Sequence, residues 1–231
     1  MSTYITTSTR GRKHLVPDVA SDTFALIGAT QTLTNKTLSS PIILNEPVTT
    51  ANIGTKTGST VTVVEKGNGI QHQSVFTFAA TPLAITDTTP LVGGGSTLFY
   101  TFPTGRILIQ GTTATMTFTT TSTIASTLKA SKNCVWSVGS IAAAATGGAG
   151  TLTAGEITYL PSTACVSSAT INVANTATGG ALAASAQYDG TTTPAPAYLN
   201  FMVVTATDID GNATIAANGT VTISWTYLGT Y

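Results

Sequence analysis

Two histidines, a handful of carboxylates and two cysteines are the residues of this chain whose types could do chemistry. His14 and His72 are the candidates for a general base. A Ser-His-acid relay would have to use one of them, with the serine and the acid brought in by the fold. No Gly-x-Ser-x-Gly elbow accompanies them, so a hydrolase is not expected. From residue 67 onward the carboxylates are Asp87, Glu156, Asp189, Asp208 and Asp210. A glycosidase needs two of these facing each other across about 5 to 9 Å, and their scatter does not suggest it. Asp208-Ile-Asp210-Gly-Asn212 places oxygen ligands at alternate positions, as a calcium loop does, but Gly219 stands where the closing glutamate belongs. The segment reads as a turn between strands. Gly93-Gly-Gly95 likewise reads as a turn, because no following Lys-Ser/Thr makes it a phosphate loop. No catalytic residue, cofactor or metal ligand is therefore expected. Cys134 and Cys165 are read as two buried thiols, with a disulfide as the alternative.

The elements that would position such residues follow from composition. Threonine supplies 50 of the 231 residues, and only 8% are charged while 42% are apolar. Threonine's β-branched side chain favours strands. An ordinary domain carries about 25% charged residues. A surface of hydroxyls, amides, alanine and glycine instead tolerates close contact, because few charges need desolvating. The pattern is that of a β-protein that sits in an assembly. Net charge is zero, which argues against a nucleic-acid partner, and no stretch nears the roughly 18 apolar residues that cross a membrane. The opening Met1-Ser-Thr-Tyr-Ile-Thr-Thr has no apolar signal region, so assembly in a cytoplasm is expected.

The chain reads as two unlike parts. Residues 1–66 carry six basic residues (Arg10, Arg12, Lys13, Lys36, Lys56 and Lys66) against Asp18, Asp22, Glu46 and Glu65. Their apolar residues come in short bursts, such as Val61-Thr-Val-Val64, without sustained periodicity. Such a segment reads as an extended N-terminal arm that orders against a partner. Residues 67–231 show short strand-like runs between turn signals. Strands are predicted over 74–78, 98–102, 106–112, 115–120, 135–141, 156–160, 168–173, 198–205 and 220–228. In the last, Val221, Ile223, Trp225 and Tyr227 share one face. Turns are predicted at Pro103–Gly105, Gly147-Gly148, Gly179-Gly180, Asp189-Gly190 and Asp210-Gly211. The fold class is all-β: an antiparallel β-sandwich, jelly-roll-like. Trp136 and Trp225 are predicted to be core, and Arg106 a rim charge or an intersubunit partner.

Three segments carry a resemblance. Gln31-Thr-Leu-Thr-Asn-Lys-Thr-Leu38-Ser-Ser-Pro41 resembles an element near the N-terminal ends of many tailed-phage fibre and head-fibre proteins. Leu98-Phe-Tyr-Thr-Phe-Pro-Thr-Gly-Arg-Ile-Leu-Ile-Gln-Gly111 resembles a run found in phage structural proteins. Tyr188-Asp-Gly-Thr191, Tyr198-Leu-Asn200 and Gly219–Tyr231 resemble that group's C-terminal half, although Thr230 replaces its usual aspartate. The resemblance implies a virion structural protein of tailed bacteriophages, a capsid decoration (cement) protein. Its partners would be the major capsid protein and itself, as a homotrimer on the capsid surface. The arm residues Arg10, Arg12, Lys13, Thr34, Asn35, Lys36, Thr37 and Leu38 would anchor it, and the sandwich would trimerise. The alternative is a tail-fibre or head-fibre adhesin, with Tyr188 or Tyr159 stacking on host glycans.

Overall fold

A computed structural model describes residues 3–6, 13–16, 50–87, 93–120, 133–143, 150–166, 173–177, 187–205, 209 and 211–230. The chain divides into two units, Met1–Ile43 and Leu44–Tyr231. In the first, β1 (Thr3–Thr6) pairs antiparallel with β2 (Lys13–Val16). The described part of this unit is thus a hairpin, where sequence periodicity predicts no strand.

The second unit is a sandwich of two antiparallel sheets. Its strands are β3 (Thr55–Lys56), β4 (Val61–Gly67), β5 (Gln71–Ile85), β6 (Gly94–Thr101), β7 (Gly105–Thr120), β8 (Asn133–Gly139), β9 (Leu160–Val166), β10 (Val173–Ala177), β11 (Gln187–Gly190), β12 (Pro196–Val203) and β13 (Ala213–Gly229). One sheet runs β10-β7-β13-β5-β4, with β11 also on β7, and the other runs β3-β6-β12-β8-β9. Strands pair from the outside in: β5 with β13, β6 with β12, β7 with β10 and β11, β8 with β9. One long hairpin rolled over on itself gives that order, which is the jelly roll.

Alternation along the long strands builds the core. Phe76, Phe78, Leu83 and Ile85 on β5 share the inner face of their sheet with Val221, Ile223 and Trp225 on β13 and Ile107, Ile109 and Met116 on β7, all buried. The second sheet contributes Phe99 and Tyr100, Trp136 and Val138, and Leu199 and Phe201. Phe102 stands edge-on to both Tyr100 and Trp225 at 5.2 Å, a geometry that adds about 0.5–1.5 kcal/mol per pair to plain burial. Both tryptophans are fully buried, as their alternation predicts.

Several boundaries differ from the sequence reading, each for a physical reason. The folded unit does not begin at residue 67, because β4 pairs along its whole length with β5 and buries Val61. The segments read as separate strands at 106–112 and 115–120 are one strand, Gly105–Thr120, whose pairing with β13 shifts register opposite Ser224 and Trp225 and again opposite Tyr227 and Gly229. Residues 154–157 form a 3-10 turn instead of opening a strand. Glu156 reaches back to accept a hydrogen bond from the Thr153 N–H at 2.8 Å, and β9 starts only at Leu160. Gly94 and Gly95 belong to β6, not to a turn. A Cβ on Gly95 would sit 2.1 Å from the Ala84 carbonyl oxygen, so glycine is required by close backbone approach. Asp189 and Gly190 close β11, and the bend follows them. The turns predicted at Gly147-Gly148 and Gly179-Gly180 lie outside the described residues.

Candidate interaction surface

The outward face of the larger sheet is the most distinctive surface of the sandwich. On β4, β5, β13 and β7 the register aligns Thr62, Thr77, Thr220 and Thr115 in one row across four neighbouring strands, and all four are exposed. The next row is Val64, Val75, Thr222 and Thr113, and the one after it Lys66, Gln73, Ser224 and Gly111. Strand spacing makes four strands about 14 Å across from first to last axis. Along these rows Lys66 is the one charge. Val64 adds an apolar patch, being 47% exposed. Threonine recurs on this face for a structural reason: a two-sided strand puts its β-branched polar residue outward at every second position. Hydroxyl and methyl groups on a rigid sheet carry no charge to desolvate and lose little side-chain freedom when covered, which suits the charge-poor centre of a protein contact.

Charge enters at the margin. Arg106 on β7 lies 3.5 Å from Asp189 on β11, with the two side chains 39% and 57% exposed. Hydrogen bonds from the Thr191 hydroxyl and N–H, then the Arg106 charge, hold the Asp189 carboxyl below its ordinary range. So exposed a pair contributes little to stability.

Of the anchoring residues predicted from sequence, Lys13 opens β2 opposite Thr6. Arg10, Arg12, Thr34, Asn35, Lys36, Thr37 and Leu38 lie outside the described residues, as do Asp208 and Asp210. The tyrosines proposed to stack on sugars are not free. Tyr159 is buried and donates to the Pro196 carbonyl at 3.0 Å, and Tyr188 packs half-buried against it at 5.3 Å. Among the described residues no three His, Cys, Asp or Glu side chains gather as metal ligands.

Beneath the outer face lies a polar network that the sequence did not announce. Glu65 on β4 is buried, and its carboxylate accepts hydrogen bonds from the Tyr100 hydroxyl and, at 2.6 Å, from the Ser74 hydroxyl. Each hydroxyl is in turn an acceptor: Tyr100 from the Gly54 N–H at 2.7 Å, Ser74 from the Trp225 indole N–H at 2.8 Å. Burial, then the Glu65 charge, pushes the Tyr100 hydroxyl far above its ordinary range, so it stays a donor. The network ties β4, β5, β6 and β13 together and so crosses from one sheet to the other. Its serine donates to Glu65 and not to His72, so Ser74 and His72 do not form a triad relay.

His72 stacks on Trp225 at 4.0 Å, nearly parallel, and neither ring nitrogen has a hydrogen-bond partner. Desolvation lowers its pKa below 6.5, against weaker opposing pulls from the Gly69 backbone and Glu65. Because the unfolded chain then binds this proton more tightly than the folded one, stability falls as pH drops below about 6.5 and levels off below the folded-state value. The expected slope between those limits is at most about 1.4 kcal/mol per pH unit. Urea titrations of wild type and His72→Phe across that range check it. Wild type should lose stability relative to His72→Phe as pH falls, and a difference independent of pH would refute the assignment.

Cys134 and Cys165 are register partners on β8 and β9, both buried and not joined by a disulfide. Hydrogen bonding to Cys134 and burial hold the Cys165 thiol well above its ordinary range, so it is a poor nucleophile.

Among the described residues no helix is long and apolar enough to cross a membrane. No family model, curated protein or solved structure matches this chain.

Proposed function

We propose that this chain is a structural protein of a tailed-phage virion that decorates the capsid, trimerising through its sandwich and reaching neighbouring capsid subunits with its N-terminal segment. The observation that supports this reading best is the row of exposed threonines on four adjacent strands, beside a row that carries no charge. A face this poor in charge is suited to being covered by protein, since covering it desolvates almost no ions. The jelly roll is compatible with the reading but does not carry it, because the same fold serves capsid and lectin domains alike. Several modest contacts per trimer would act together, since each raises the effective concentration of the next.

Sedimentation with capsids stripped of their accessory proteins tests the proposal. The full chain should pellet with capsids, and a chain beginning at Leu44 should bind much more weakly. Failure of the full chain to bind would overturn the capsid reading. Equal binding by the two would refute the arm's role as the clamp.

A further inference from the structure

The pairing of the larger sheet shifts at several points, and one of them lies near the middle of its outer face. Between Ser224 and Trp225 the pairing of β13 with β7 shifts, so that Ser224 faces Gly111, Trp225 faces Ile109 and Gln110 is left over. Such a bulge turns an extra side chain outward and bends the strand locally. Here it sets exposed Gln110 beside a residue with no side chain at all. A Cβ built on Gly111 would meet nothing within 4 Å, and its backbone is not in the left-handed region. The result is an open cavity of about 280 Å³ whose lining includes Gln73, Gln110, Gly111, Thr113, Thr222 and Ser224. Gly111 and Ser224 lie at its centre as register partners. Gln73 lies beyond Ser224 on β5, and Thr113 with Thr222 forms the next row.

From this geometry we infer that the cavity is a binding site for a neutral saccharide unit. Its lining carries no ionisable group, so it offers nothing to neutralise a phosphate, a carboxylate or an ammonium ion. It does carry two carboxamides and three hydroxyls, which both donate and accept, matching the vicinal hydroxyls of a sugar. None of these side chains is hydrogen-bonded to another described residue, so their capacity is free for a ligand. Threonine methyl groups offer apolar contact for a sugar's C–H face. The volume equals about nine waters at ~30 Å³ each, enough for one hexose. The residues stand on three neighbouring strands at the centre of the larger sheet, where backbone positions are fixed before binding. With few stacking groups, affinity should be millimolar, as for a single subsite of a longer glycan. The inference rests on the cavity alone, and it requires that a protein covering this face leave the cavity open.

Saturation-transfer NMR on the full-length protein tests it, with methyl α-glucoside, methyl α-galactoside, methyl α-mannoside and N-acetylglucosamine as probes and glycerol as the control. At least one hexose should show transfer to its ring protons, competed by its own excess and weaker for glycerol. Gly111→Gln starts from a Cβ that meets nothing within 4 Å, and it should occupy the cavity, keep the wild-type melting temperature and weaken that binding about tenfold or more. Gln73→Ala should weaken it without filling the space. Absence of transfer to every sugar would overturn the inference, as would binding unchanged in Gly111→Gln. Loss of capsid binding in Gly111→Gln without any sugar binding in wild type would also overturn it, and would give the cavity to a protein side chain.

Discussion

Replacing Glu65 with alanine should lower the unfolding free energy by about 3–5 kcal/mol, a large part of a domain's total. The reason is the direction of the hydrogen bonds around it. Tyr100 and Ser74 each already accept a hydrogen bond, from the Gly54 N–H and the Trp225 indole, so each has only its own proton left to give. Both protons point at Glu65. Without the carboxylate two buried donors lose their acceptor, at about 1–3 kcal/mol apiece. Glu65→Gln keeps the shape but swaps one oxygen for a donor, so it should cost about half as much. Urea midpoints of the three proteins, compared at constant slope, measure this. An alanine variant within about 0.5 kcal/mol of wild type would show that the network is not a structural clamp.

Where the chain is cut should matter as sharply. The first described core residue is Val61, so a chain starting at Leu44 should melt cooperatively at the wild-type temperature. A chain starting at Gly67 loses β3 and β4. It uncovers the edge of β5, removes Glu65 from Tyr100 and Ser74, and opens the core where Val61 and Val63 packed. Exposed strand edges recruit other chains. That fragment should aggregate or lack a cooperative transition. Calorimetry of both fragments decides the matter, and a Gly67 fragment that melts like the Leu44 fragment would contradict the placement of β4.

Why that boundary was misread shows how far the sequence carries. The sandwich class was legible because Val221, Ile223 and Trp225 alternate so cleanly, and because threonine enrichment favours pleated surfaces. In Val61-Thr-Val-Val-Glu65 the inward set is Val61, Val63 and Glu65. A glutamate reads as surface, so the strand appeared to break after two turns of its alternation. Only the distant partners Tyr100 and Ser74 make that position tolerable, and no local pattern encodes them. Gly94 and Gly95 failed similarly: they resemble turn residues, whereas close approach to Ala84 is what demands them. The cavity at Gly111 depends on a one-residue register shift between strands more than a hundred positions apart, which local periodicity does not reveal. The tyrosines offered as sugar platforms were placed by analogy, and packing claimed them instead.

The central claim is that this protein belongs to a virion and sits on its capsid. Immunogold labelling of intact particles with antibodies raised against the sandwich tests it most directly. The account predicts regular label over the head. Label confined to the tail or its fibres, or no label on particles at all, would contradict it.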